Sequence, residues 1–209
     1  MYPNFNWETE FYFDCVRENI IDEHLMFRII QSFPEFKIHA KRLVLLVRDL
    51  DTSLDVVSRF EPRTLHSLYL RSESEYIAQS TKLIEHLSNT DQWKLALYIN
   101  LIAFQPIRAA DLKWFYHLEV FLVNLVSLSG KEIQGLFDVI SKNSSFQGCV
   151  LKMSNHTIHP NETGELLKYM PPDENVSEDY HQYPTSNPQE CIELHFFNKK
   201  IYVFRKSRS

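Results

Sequence analysis

Cys149, His156 and His159 come closest in type and spacing to a metal site, with Cys191 or His181 as a fourth donor. Zinc takes thiolate and imidazole ligands, and His-x-x-His lets two rings reach one ion. The second Cys that a zinc module places two to four residues from the first is missing, and Cys149 lies inside the apolar run "FQGCVLKM". A buried thiol is the ordinary occupant of such a run, so no metal is expected. Phosphate binding needs glycines bunched so that backbone N–H groups converge on the anion. The four glycines, Gly130, Gly135, Gly148 and Gly164, are scattered. The chain has no G-x-S-x-G elbow and no H-E-x-x-H helix, and nothing singles out a nucleophile beside a histidine. No catalytic residue and no cofactor are indicated.

Composition gives no general pull towards nucleic acid or an anionic membrane, though a local basic surface is left open. The 209 residues are 44% apolar and 23% charged, with a net charge of −5, so no global attraction to polyanions exists. Cys15, Cys149 and Cys191 are far apart and odd in number, which fits a reducing compartment rather than a disulfide framework. Four Asn-x-Ser/Thr tripeptides, starting at Asn143, Asn155, Asn161 and Asn175, would matter only in the secretory pathway. The opening "MYPNFNWETEFYFDC" has no basic start leading into an apolar core. A cytoplasmic or nuclear location is expected. No apolar run is long enough to span a bilayer.

The elements that must position any site alternate between extended apolar runs and helical patterns. Besides the opening stretch, the runs are 41–47, 64–70, 93–104, 117–128 and 146–153. Between them, "TSLDVVSRF", "SESEYIAQSTKLIEHLS", "IRAADLKWFYH" and "SGKEIQGLFDVISKN" read as helices. Ser129 with Glu132 forms a capping box, and Ile133, Leu136, Phe137 and Ile140 share one helical face. A β–helix repeat of roughly 20–30 residues is the spacing of leucine-rich-repeat-like solenoids with parallel strands. The fold expected is therefore α/β: an irregular solenoid with a mostly parallel sheet. A helical cap over residues 1–36 would cover its first strand. Residues 37–209 would form one structural unit closed by a β-hairpin around Asn198-Lys199. A doubly wound sheet is the competing architecture. Residues 155–190 read as loop with a short helix at "TGELLKYM".

Taken in order, "HAKRLVLLV", "FEPRTLHSLYL", "LSNTDQWKLALYINL", "FYHLEVFLVNLVSLSGKEIQGLFDVISKNSSFQGCVL" and "YPTSNPQECIELHFFNKKIYVFRK" resemble the FTH domain. This domain is found mainly in nematodes and usually placed C-terminal to an F-box. The resemblance covers about residues 20–206, and its most specific parts are Gln92-Trp93-Lys94, the block from Ser129 to Leu151 and Asn187-Pro188. It implies a partner-binding domain that, joined to an F-box, recruits substrates to a cullin-based ubiquitin ligase through an Skp-type adaptor. An F-box is a multi-helix element, and only about 20 residues precede the resembling region here. The adaptor is therefore expected only for a longer form. The chain would be a stand-alone member, a truncated one, or a binding domain cut from a longer protein.

Alternation assigns the faces of the expected strands. Leu43, Leu45, Val47, Leu68, Leu70, Leu95, Leu97, Ile99, Leu118, Val120, Leu122, Cys149, Leu151 and Met153 go to the helix-covered side. The other face then offers a partner Arg48, Tyr69, Arg71, Tyr98, Asn100, Phe121 and Lys152, with Arg42 and Val123 beside them. Aromatic rings and arginines are what protein-binding hot spots favour. The reading is a non-catalytic protein-binding module for a protein partner or ubiquitylation substrate. The alternatives are a small α/β hydrolase or transferase with a doubly wound sheet, or a single-stranded nucleic-acid binder that stacks bases on Tyr69, Tyr98 and Phe121.

Overall fold

The fold is taken from a computed structural model, which describes residues 10–13, 32, 37–47, 50–71, 80–101, 104–154, 180–197 and 199–208. The chain is α/β and divides into two compact units, Met1–Tyr98 and Ile99–Ser209.

In the first unit β1 (Glu10–Phe13), β2 (Arg42–Leu46) and β3 (Ser67–Arg71) are neighbours and run parallel. Residues 10–13 are thus extended, as the opening run was read, within the segment also expected to supply a helical cap; the aromatic run Phe11-Tyr12-Phe13 has strand rather than helix preference. Of the rest of that cap only Ser32 is described, and it is helical. Helix α1 (Leu50–Ser58) follows β2, and α2 (Ser80–Ser88) and the short α3 (Asp91–Lys94) follow β3. Leu43 and Leu45 of β2 are in register with Leu68 and Leu70 of β3, and all four are buried. Val56 and Val57 of α1 and Leu83, Ile84 and Leu87 of α2 are buried too.

Residues 93–97 were expected to extend as strand and do not. Thr90 caps α3, its hydroxyl accepting from the Trp93 N–H at 3.3 Å, and Trp93 is buried within that helix. The Gln92 side chain, also buried, donates to the Phe60 carbonyl at 2.8 Å and ties α3 back to the end of α1. Leu95 and Leu97, assigned to the covered side, are 50% and 43% exposed because the chain is still turning there.

Strand β4 (Tyr98–Leu101) begins at the last residue of the first unit. The second unit orders its strands β4-β5-β6-β9-β8-β7. These are β5 (Val120–Leu125), β6 (Gly148–Met153), β7 (Tyr180–Pro184), β8 (Glu190–Phe197) and β9 (Lys200–Ser207). β5 and β6 are parallel, whereas β6–β9, β9–β8 and β8–β7 are antiparallel, so this unit is mixed rather than mostly parallel. The reason is the closing hairpin, which docks beside β6 and carries β7 with it. Phe197 pairs with Lys200 across a two-residue loop, and Lys199 at φ 62° takes the left-handed conformation such a turn requires. β7 lies in a stretch read as loop; the "TGELLKYM" helix falls outside the described residues.

Helix α4 (Gly130–Ile140) carries the expected capping box: the Ser129 hydroxyl accepts from the Glu132 N–H at 3.4 Å, and the Glu132 carboxylate accepts from the Ser129 N–H at 2.8 Å. Ile133, Leu136, Phe137 and Ile140 are buried as expected. Ala109–Phe115 forms a 3₁₀ rather than an α-helix; buried Asp111 takes both Nε and Nη2 of Arg108 at 3.1 Å and tightens its first turn.

One backbone device recurs at the strand entries. The His66 and Ser67 N–H groups both donate to the Lys41 carbonyl, and those of Leu97 and Tyr98 both donate to His66. Those of Gln147 and Gly148 both donate to Glu119. Among the described residues no helix is long and apolar enough to cross a membrane.

Candidate functional site

In the first unit the shared carbonyls of Lys41 and His66 align Arg42, Ser67 and Tyr98. The Tyr69 ring lies between two of these side chains. The Arg42 guanidinium carbon is 5.4 Å from its centroid, and the Tyr98 ring is 5.1 Å away at 34°. Arg42, Tyr69 and Tyr98 are half-buried, whereas Arg71 is exposed. The cluster joins a cation–π contact to a tilted aromatic pair, so its rings are held in place before any ligand arrives. Arg48 falls outside the described residues.

The second unit divides the remaining predicted residues. Asn100 and Lys152 stand half-buried on β4 and β6. Phe121 does not belong with them. It is fully buried, with its ring 5.6 Å from Phe115 and 6.1 Å from Phe146, and Val123 is fully buried as well. The faces of β5 are therefore the reverse of the assignment: Phe121, Val123 and Leu125 point inward opposite Cys149, Leu151 and Met153, and Val120 and Leu122 are half-buried on the other side. Burying Val120 and Leu122 would also have driven the Asn124 amide into the core. Instead Asn124 donates to the Phe104 carbonyl at 3.3 Å and accepts from the Ser154 hydroxyl at 2.7 Å. Leu118 is buried as expected but precedes the strand.

Of the three core donors of the metal candidate, only Cys149 is described. Cys149 points into the core, and burial pushes its thiol well above the ordinary value, against the thiolate a metal needs. Cys191 is buried on β8, and His156 and His159 lie outside the described residues. Among the described residues no group of three potential ligands assembles.

Two features went unread in the sequence. Arg205 on β9 sends its side chain to the far end of α4: Nη2 donates to the carbonyls of Ile140 (3.0 Å) and Asn143 (2.8 Å), and Nε to Phe146 (2.9 Å). Nη1 donates to Glu190 at 2.6 Å. Tyr183 on β7 donates to Asp138 of α4 at 2.8 Å, and Gln134 donates to both. Those bonds, from Tyr183 first and then Gln134, hold the Asp138 carboxyl below its ordinary value. Burial first, and then the bond to Asp138, pushes the Tyr183 phenol up. Both are clamps of the fold, built from pairs far apart in sequence.

Each unit is α/β, and half-buried positions on its strands carry rings and cations. The chain belongs to the FTH-domain family: the family's model matches residues 24–170, well over half of the protein. That match takes in β2 to β6 and stops short of the closing strands β7–β9. Neither the curated proteins nor the solved structures yield a match.

Proposed function

We propose that this chain is a non-catalytic protein-binding module of the kind that serves as the substrate-recognition domain of F-box proteins in cullin-based ubiquitin ligases. In a longer form bearing an F-box, an Skp-type adaptor would be its second partner. Its β–helix succession is read as an irregular, leucine-rich-repeat-like solenoid capped by helix at the N-terminus. The observation that carries the binding role is Tyr69 held between Arg42 and Tyr98. Rings and guanidinium groups fixed in advance lose little side-chain entropy when a partner covers them, which is why such residues dominate hot spots. Tyr69, Tyr98 and Arg71 of the first unit are the contact residues of this surface; Arg48, Asn100 and Lys152 are further proposed contacts, the last two on the second unit.

The test is affinity purification of the tagged chain with mass spectrometry of what remains bound, alongside Tyr69→Ala/Tyr98→Ala. The double variant should lose the partners of the parent yet keep most of its melting temperature, because half-buried residues lose few contacts on truncation. Leu68→Ala/Leu70→Ala should unfold or aggregate instead. Undiminished capture by Tyr69→Ala/Tyr98→Ala would refute the surface. Recovered material that is nucleic acid, released steeply by salt, would replace a protein partner with a polyanion.

A further inference from the structure

Strand β9 brings a second set of rings and cations alongside β6. Val150 is in register with Leu122 on one side and Tyr202 on the other, Lys152 with Lys200, and Gly148 with Phe204. By alternation these residues share one face of the second unit. The Tyr202 and Phe204 rings stack at 6.3 Å and 19°, and Phe204 is 42% exposed. Glycine is required beneath it: a Cβ at Gly148 would meet the Val203 carbonyl oxygen at 2.8 Å and Phe204 Cδ1 at 3.2 Å. Glu193, the one carboxylate among the described strand positions of this face, is buried and accepts from Lys206 at 3.2 Å.

The two lysines are the informative part. Like charges directly opposite on neighbouring strands are destabilising, and among the described residues neither ammonium has an ion pair or hydrogen bond. This occurs in a chain with 27 acidic and 22 basic residues. We propose that this face docks an extended acidic segment of a protein partner. Carboxylates meet Lys152 and Lys200, and an apolar side chain lies over Val150 and Tyr202 beside Phe204. The surface shares no residue with the Tyr69–Tyr98 cluster, and Tyr202, Phe204 and Lys200 lie beyond the family match.

The experiment uses the full chain and fluorescence anisotropy of a labelled peptide of about twelve residues, alternating Glu and Leu with a central Phe, long enough to cross these strands. The controls are its Gln-for-Glu copy and an oligouridylate. The acidic peptide should bind, and its Gln copy should bind about tenfold more weakly. Lys200→Glu should weaken binding by a similar factor while melting no lower than the parent, because it turns a like-charge pair into an ion pair with Lys152. Phe204→Ala should weaken binding at unchanged stability, and Tyr69→Ala/Tyr98→Ala should bind as the parent does, which separates this surface from the first. Equal binding of the two peptides, unchanged binding by Lys200→Glu, or tighter binding of oligouridylate would overturn the proposal. So would binding that emerges only after residues 155–179 are exchanged for a Gly-Ser linker, since the chain itself would then fill the face.

Discussion

Replacing Arg205 with Ala should be among the most damaging single changes in the second unit. Its side chain is 8% exposed and makes four close hydrogen bonds at once, three to carbonyls at and beyond the end of α4 and one to Glu190. The carbonyls at a helix C-terminus have no intrahelical donor and carry its negative dipole end, so a guanidinium there is favourable twice over. Hydrogen bonds to a charged group contribute about 1.5–3 kcal/mol each, though not additively. Water entering the vacated space would satisfy some of the carbonyls. Removing one partner of a buried charged network typically costs about 3–5 kcal/mol, and that is the loss expected for Arg205→Ala. At about 2–4 °C per kcal/mol for a chain of this size, the melting temperature should fall by about 6–20 °C. Glu190→Gln separates the ion pair from the capping role. Its side chain is 31% exposed, so its loss should cost only about 1 kcal/mol. The assay is thermal unfolding followed by circular dichroism, with urea titration to check that the slope is unchanged. If Arg205→Ala melts within about 2 °C of the parent, or if Glu190→Gln costs as much, the capping argument fails.

Trp93→Ala should cost about 3–5 kcal/mol in urea unfolding, since the indole is buried in α3; a variant that unfolds with the parent would place it at the surface. Phe121→Ala should cost a similar amount by opening a cavity between Phe115 and Phe146, and Leu122→Ala markedly less; the reverse order would restore the face assignment read from alternation. Tyr183→Phe tests the clamp on α4 by its pH dependence. The folded Asp138 carboxyl lies below its ordinary 3.8, so its contribution is present above that value and lost as pH falls through the lower folded one. The folded Tyr183 phenol lies above its ordinary 10.0, so its contribution is present below that value and lost as pH rises through the higher folded one. The melting-temperature gap between parent and Tyr183→Phe should therefore be widest near neutrality and narrow at both extremes; a gap independent of pH would show that only packing was lost.

Local pattern was enough wherever one strand face or helix stripe was unambiguous. Helix α4 was legible from Ser129, Glu132 and four apolar residues at helical spacing, because caps and amphipathic stripes act within a few residues of one another. The inward side of β6 was legible as Cys149, Leu151 and Met153, since glycine and lysine mark the alternate positions. The turn at Asn198-Lys199 was legible because left-handed backbone favours few residue types. β5 was not, because Val120, Phe121, Leu122 and Val123 are apolar at both parities and alternation carries no signal there. Its register is set by its parallel partner β6, by the rings of Phe115 and Phe146, and by the cost of burying Asn124. Trp93 shows the same limit from another side: its burial could be expected from residue type, but the cap at Thr90 and the Gln92 bond to Phe60 decide that it sits in a helix. The rings of Tyr202 and Phe204 and the cap supplied by Arg205 depend on β9 inserting beside β6, nearly fifty residues away in the chain. Pairings at that separation are chosen by the burial they complete together, a quantity that no local stretch of sequence contains.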